Sequence, residues 1–157
     1  MLGYLFLSIA IFLIYIGIIT SVYGIRPSIS DSYYNLPNDK KWIFTIATWG
    51  YTIPLILNIP FQTGVNEILF LAAALLSVVG VFPNFKVKED RPLHVIGAEG
   101  GIFLGFVWAL SAGLWYLIVP VSVVIYLLFN TKPKNHTWWI ECLAYFTIIL
   151  SEYILIK

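Results

Sequence analysis

Apolar residues in this chain come in long, nearly unbroken blocks. Six dominate, over residues 2–25, 42–59, 65–82, 92–112, 114–129 and 138–156, separated by short polar stretches. The period-2 alternation of barrel strands is absent. A helix needs about 20 apolar residues to cross a hydrocarbon core of about 30 Å. Lipid offers no partner to an unpaired backbone amide or carbonyl, so such blocks must be helical. The pattern therefore predicts an all-α polytopic membrane protein, one integral membrane domain over residues 1–157 built as a six-transmembrane-helix bundle. The third and fifth blocks are short; they borrow flanking residues, or the bilayer thins around them. The connection around Gly113 is almost nothing, which predicts a tight hairpin between helices 4 and 5. The first connection, RPSISDSYYNLPNDKK, is the longest and most polar, the sort of loop on which function tends to sit.

Composition strengthens this reading. Of 157 residues, 60% are hydrophobic and 11% charged, against about 25% charged in ordinary soluble domains. A soluble fold of this size has no interior large enough for that apolar surface. The net charge of +1, with no basic run interleaved with aromatics, argues against nucleic-acid binding. The single cysteine, Cys142, excludes an internal disulfide and reads as a small core residue. No Lys or Arg precedes the first block, which is also longer than the apolar region of a signal peptide, about 7–15 residues. It reads as a retained first span.

Charge placement sets an orientation. With six spans, the first, third and fifth loops share one side and hold Arg26, Lys40, Lys41, Lys86, Lys88, Arg91, Lys132 and Lys134; only Lys157 falls opposite. Basic loops stay in the cytoplasm, so loops 1, 3 and 5 are expected to be cytoplasmic and both termini outside. Trp42, Trp138 and Trp139 flank the basic loops, as interface aromatics do. A small chain with no soluble appendage suits a bacterial inner membrane.

The candidate chemistry begins in EDRPLHVIGAEGGIFLG, residues 89–105. Asp90 is expected to cap the fourth helix, with Pro92 in its first turn. Gly97, Gly101 and Gly105 recur every four residues, continued by Ala109 and Gly113. Such a stripe lets a neighbouring helix approach closely, within the chain or in a homo-oligomer. His94 lies on the same stripe and should face protein. Glu99 is about 200° from Gly97 around the helix. To avoid lipid it needs protein or water on a second side, which implies a central position for helix 4. An ionised carboxylate at mid-bilayer costs at least about 2.5–3.5 kcal/mol.

His94, Glu99 and Glu141 all fall toward the basic side and are expected to line a polar pocket open to the cytoplasm. Arg26, Ser30, Asp31, Tyr33 and Tyr34 of the first loop reach the same face. Glu152 lies near the other face, where it would snorkel to the interface beside Lys157 or mark the exit of a pathway. The plain alternative is a set of interface residues satisfied by water and headgroups.

Three functions fit these groups. The first is a small transporter or channel, proton- or cation-linked, with His94 and Glu99 relaying protons. Pro54 and Pro120 would break helices near its path. The second is a membrane-embedded lipid hydrolase. In residue types only, SISDSYY followed by DRPLH resembles the Ser/Asp/His sets of the alkaline ceramidase type of enzyme. That resemblance implies zinc held by three histidines; this chain has His94 and His136 alone, so membership does not follow. The third is binding without chemistry, of a partner protein or of an anionic lipid headgroup held by Arg26, Lys40 and Lys41 beside Tyr33 and Tyr34. The transporter is preferred. No cofactor and no metal set is expected beyond it, and the bilayer is the surrounding partner.

The charge asymmetry makes a direct prediction. A cysteine at position 88 stays unlabelled by an impermeant reagent added outside intact cells, while tags on both termini are reached. Labelling of position 88 from outside would reverse the orientation.

Overall fold

The computed structural model describes residues 2–58 and 66–156. The described part is helical, with no strand. Its main helices are α1 Leu2–Tyr23, α2 Trp42–Asn58, α3 Asn66–Val81, α4 Arg91–Ser111, α5 Trp115–Thr131 and α6 His136–Ile156. Each apolar block of the sequence became one helix. Ile59 and Val65, the inner edges of two predicted spans, and Lys157 lie outside the described residues. The first helix stops before the apolar block does, because Gly24 turns left-handed at φ 72° and breaks the ladder.

Three helices, α1, α4 and α6, are long and apolar enough to cross a membrane. Helices α3 and α5 are apolar but shorter, at 16 and 17 residues, which is about 24–26 Å of rise. Helix α2 is also 17 residues long. Crossing by all six does not follow from the helices alone.

The packing is a ring. Helix α1 packs on α2, α2 on α3, α3 on α4, the 101–111 half of α4 on α6, and α6 back on α1. Helix α5 lies outside, against α4 and α6, and buries only Ile118. The outer surface is apolar: Phe6, Ile14, Ile46, Phe70, Phe103 and Tyr126 are all more than half exposed. A continuous belt of that kind needs lipid or protein over it. The interior is an apolar core that also holds polar side chains, among them Ser8, Thr48, Thr52, Asn58, Thr147, Ser151 and Glu152. Several of the hydroxyls bond the carbonyl four residues back, as Thr48 does to Phe44 and Ser151 to Thr147.

The glycine stripe does not keep one neighbour. Helix α4 contains a π-helical stretch, Ile96–Gly100, which rotates the register within the helix. A Cβ on Gly97 would come within 2.8 Å of the Leu75 carbonyl, and one on Gly101 within 2.7 Å of the Leu76 side chain, so both glycines serve α3. Gly105 instead takes the Ile148 side chain of α6. The three glycines of the stripe are thus covered by helices of the same chain. Gly113 is outside the helix, in the Ala112–Leu114 turn at φ 82°. That turn is the tight hairpin the sequence predicts. Asp90 does not cap α4: its backbone is already helical and its side chain makes no capping bond, whereas a capping side chain needs a non-helical backbone. Pro92 does sit in the first turn. Pro54 and Pro120 both lie inside continuous helices, and neither ends one.

The three basic connections meet at one end of the ring. The Lys86 ammonium of the α3–α4 loop is 2.8 Å from Asp31 in the α1–α2 loop. The Asn135 amide of the α5–α6 loop donates to the Ile25 carbonyl at 3.2 Å. Trp42 and Trp139 at this end are exposed, as expected, but Trp138 is only 1% exposed. It packs in the core because its own amide is drawn to Pro27 of the loop, at 3.1 Å.

Gly97→Ala should lower stability by about 1–3 kcal/mol, since the colliding atom is backbone and the helix pair must separate. Gly17→Ala meets nothing within 4 Å and should be neutral or stabilising by up to about 1 kcal/mol. Thermal unfolding in detergent measures both. Equal midpoints for the two variants would mean that α3 and α4 are not in contact at Gly97.

Candidate functional site

The α1–α2 loop is a folded cap. Two short 3₁₀ turns, Ser30–Asn35 and Asn38–Lys40, carry it across the end of the ring. The Ser28 hydroxyl accepts the Asp31 amide at 3.0 Å, a local turn of the kind serine favours. The Ser32 hydroxyl donates to the Ile29 carbonyl and meets the Tyr15 hydroxyl at 2.6 Å, which ties the loop to α1. Asp31 is gripped by Lys86 and, at 3.5 Å, by Arg26. The Tyr34 hydroxyl accepts the Lys86 amide at 2.7 Å, and the Lys86 ammonium lies 4.0 Å from the Tyr34 ring centre. Burial pushes the Tyr34 hydroxyl above its ordinary pKa. Lys41 lies over the Tyr33 ring. The loop's polar groups are therefore largely spent on one another.

Beneath this cap is a cavity of about 60 Å³, room for about four waters. Ser30 and Glu141 stand at its cap end. Phe12, Tyr51 and Tyr145 form an aromatic wall, and Ala98 and Ile102 of α4 close another side. The Glu141 carboxylate enters this space and accepts the Ile29 amide through Oε2. The aromatic wall is rigid: Phe12 stacks on Tyr145 with centroids 4.0 Å apart, and Tyr51 stands edge-on to both. The Tyr145 hydroxyl is held at 2.6 Å from Ser8 Oγ, which in turn donates to the Tyr51 carbonyl. The 91–100 half of α4 packs on α3, while α6 packs mainly on the 101–111 half.

The far end of α6 holds a second carboxylate. Glu152 is 0% exposed, as is Asn58 of α2, whose Nδ2 donates to Glu152 Oε2 at 2.9 Å. The expectation that Glu152 snorkels to the interface is overturned. Residues 141, 145, 148 and 152 follow one another at spacings of four, three and four, which is one face of a helix. That face is the interior face of α6: Glu141, Tyr145 and Ile148 line the cavity, and Glu152 meets α2.

The sequence-selected trio of His94, Glu99 and Glu141 does not assemble. His94 is buried, as expected of a stripe residue, but its Nδ1 is 2.7 Å from the Phe82 carbonyl and its ring lies on Phe85. It fastens α4 to the α3–α4 loop, away from the cavity. Glu99 is exposed, contrary to the expectation of burial. Helix α4 is a member of the ring and not its centre, so part of its surface is left uncovered, and Glu99, within the π-helical stretch, falls there. Gly105 meets Ile148, and the two helices run in the same direction. Six residues back along each, Glu99 and Cys142 share a depth.

The Ser/Asp/His set is also dispersed. Among the described residues no hydrogen bond joins His94 to Asp31 or to a loop serine, and no group of three or more His, Cys, Asp or Glu is positioned to hold a metal ion. His136 touches the Pro133 carbonyl at 3.2 Å, and Asp90 accepts the His94 amide through its backbone carbonyl.

No protein-family model matches the chain. No curated protein and no solved structure is significantly similar to it.

The Glu152 pair yields a stability prediction. Glu152→Leu should cost about 1–3 kcal/mol, because the Asn58 amide loses its buried acceptor. Glu152→Gln keeps an acceptor oxygen and should cost less. Glu99→Gln, at an exposed position, should fall within about 0.5 kcal/mol of the parent. Denaturant or thermal unfolding ranks the three; a Glu99 variant as damaging as Glu152→Leu would contradict the burial pattern.

Proposed function

We propose that this chain is a six-span protein of a bacterial inner membrane, with loops 1, 3 and 5 in the cytoplasm, that moves protons or a small cation through the interior of its helix ring. One observation carries the reading. Glu141 and Glu152 stand on the interior face of a single helix, one toward each end, about 16 Å apart along the axis. Two inward carboxylates in an apolar ring are costly on any insertion scale, and ionisable groups within a membrane mark ion and proton paths by default. The meeting of the three basic loops at one end supports the six-span topology and its orientation.

The path runs from the loop cap to Glu141, along the cavity past Tyr145 and Ser8, and on to Glu152 and Asn58. Glu141 is the cytoplasmic group and Glu152 the outer one. Ile148 fills the wall between them against Gly105, so conduction requires that side chain to move. The His94–Glu99 relay is set aside in this reading, because both residues lie off the line.

The test is proton flux into proteoliposomes reporting through a trapped pH-sensitive dye. The parent protein should carry flux above empty vesicles. Glu141→Gln and Glu152→Gln should each bring it down to the empty-vesicle level, while His94→Gln and Glu99→Gln keep it. Flux that survives in the Glu141 and Glu152 variants, or no flux in the parent, would remove this function.

A further inference from the structure

The cavity beside Glu141 is chemically lopsided, and its contents can be argued from its walls. Apart from Glu141 and the Ser30 side, the lining is hydrocarbon and aromatic ring. Among the described residues no Lys, Arg or His lines it. An anion would meet only Glu141 and finds no countercharge. A hard inorganic cation needs about six oxygen ligands. The cavity offers one carboxylate, a serine and two tyrosines, and the Tyr145 hydroxyl is already committed to Ser8. A neutral apolar guest would fill the walls but offer the Glu141 carboxyl no polar partner.

One class of guest satisfies both parts. From these walls we infer that the cavity binds a small alkylammonium ion, with its charged nitrogen on the Glu141 carboxylate and its alkyl group between the aromatic wall and Ile102. This rests on the transport reading and names its cargo. Glu141 Oε2 takes the Ile29 amide, which leaves Oε1 to bond the guest. The ammonium donates to that oxygen in a charge-assisted bond. Ring surface from Phe12, Tyr51 and Tyr145 adds attraction for the cation. The volume of about 60 Å³ limits the guest to a few heavy atoms, of the size of propylammonium. The loop above the cavity is pinned by Asp31 to Lys86 and Arg26.

Calorimetric titration of the protein in nanodiscs tests this with propylammonium, 1-propanol and sodium as probes. Propylammonium should bind at least about tenfold more tightly than either of the others. Glu141→Gln should weaken it by about tenfold or more while leaving the unfolding midpoint nearly unchanged, since Gln still accepts the Ile29 amide. Ile102→Trp keeps the carboxylate and fills the space, and should abolish binding. Propanol binding as well as propylammonium, full affinity in either variant, or no binding to the folded parent would each overturn the cargo. Proton flux through a parent that binds no propylammonium removes the cargo and leaves the transport reading standing. Binding without flux does the reverse.

Discussion

The ring closes because the first loop is tied to the last helix. Three bonds make the tie: the Ile29 amide to Glu141, the Trp138 amide to the Pro27 carbonyl, and the Asn135 amide to the Ile25 carbonyl. One of them, from the Trp138 amide, satisfies a donor in the first turn of α6, where helical amides have no partner within the helix. Without that tie, α1 and α6 are joined mainly through Tyr145, Ser8 and the Phe12 stack. These are contacts between elements more than a hundred residues apart in sequence, so they carry the largest entropy of closure. The cavity exists only because this closure brings α6 back against α1 with its inner face toward α2 and α3.

Much of this architecture was written in the apolar blocks. Helix number, helix ends and the Gly113 hairpin are local properties, set by composition and by the chain's tolerance for left-handed backbone at glycine. The meeting of the basic loops was legible too, because like-charged loops between an even count of helices must share a side. Whether every helix crosses the membrane was not legible, since α2, α3 and α5 are short for a typical bilayer. Which face of each helix looks inward was read only in part. His94 and the early glycines do face protein, because small residues at i and i+4 force a close approach, but His94 does not reach the cavity.

Glu99 and Glu152 exchange places between the sequence pattern and the fold, for physical reasons. The expectation of a buried Glu99 rests on a carboxylate needing protein around it, with α4 at the centre of a bundle. Six helices arranged as a ring with one outlier leave no centre, and the π-helical stretch breaks the constant 100° step on which such an argument depends. Glu152 was placed at the interface because it is close to a helix end. Distance along the axis was given more weight than the angle around it. The spacing 141, 145, 148, 152 was visible in the sequence and ties Glu152 to the same face as Glu141. Its buried partner, Asn58, has no such signal, because nothing local marks an asparagine at the end of α2 as facing another helix.

In the proposed mechanism Glu141 has two duties on two oxygens. Oε2 holds the cap through the Ile29 amide, and Oε1 is offered to the cavity. The strength of each bond depends on the charge left on the carboxylate. A cation or proton on Oε1 withdraws charge from Oε2 and weakens its hold on Ile29. The cap is also attached elsewhere, through Asp31 to Lys86 and through Ser32 to Tyr15, so losing one bond loosens the loop without releasing it. Occupancy of the cavity and tightness of the cap are thereby linked with opposite sign, and linkage of this kind is reciprocal: whatever loosens the cap also raises the affinity of the cavity for a cation. A single carboxylate placed between a loop amide and an apolar chamber is enough to couple the entrance to the load.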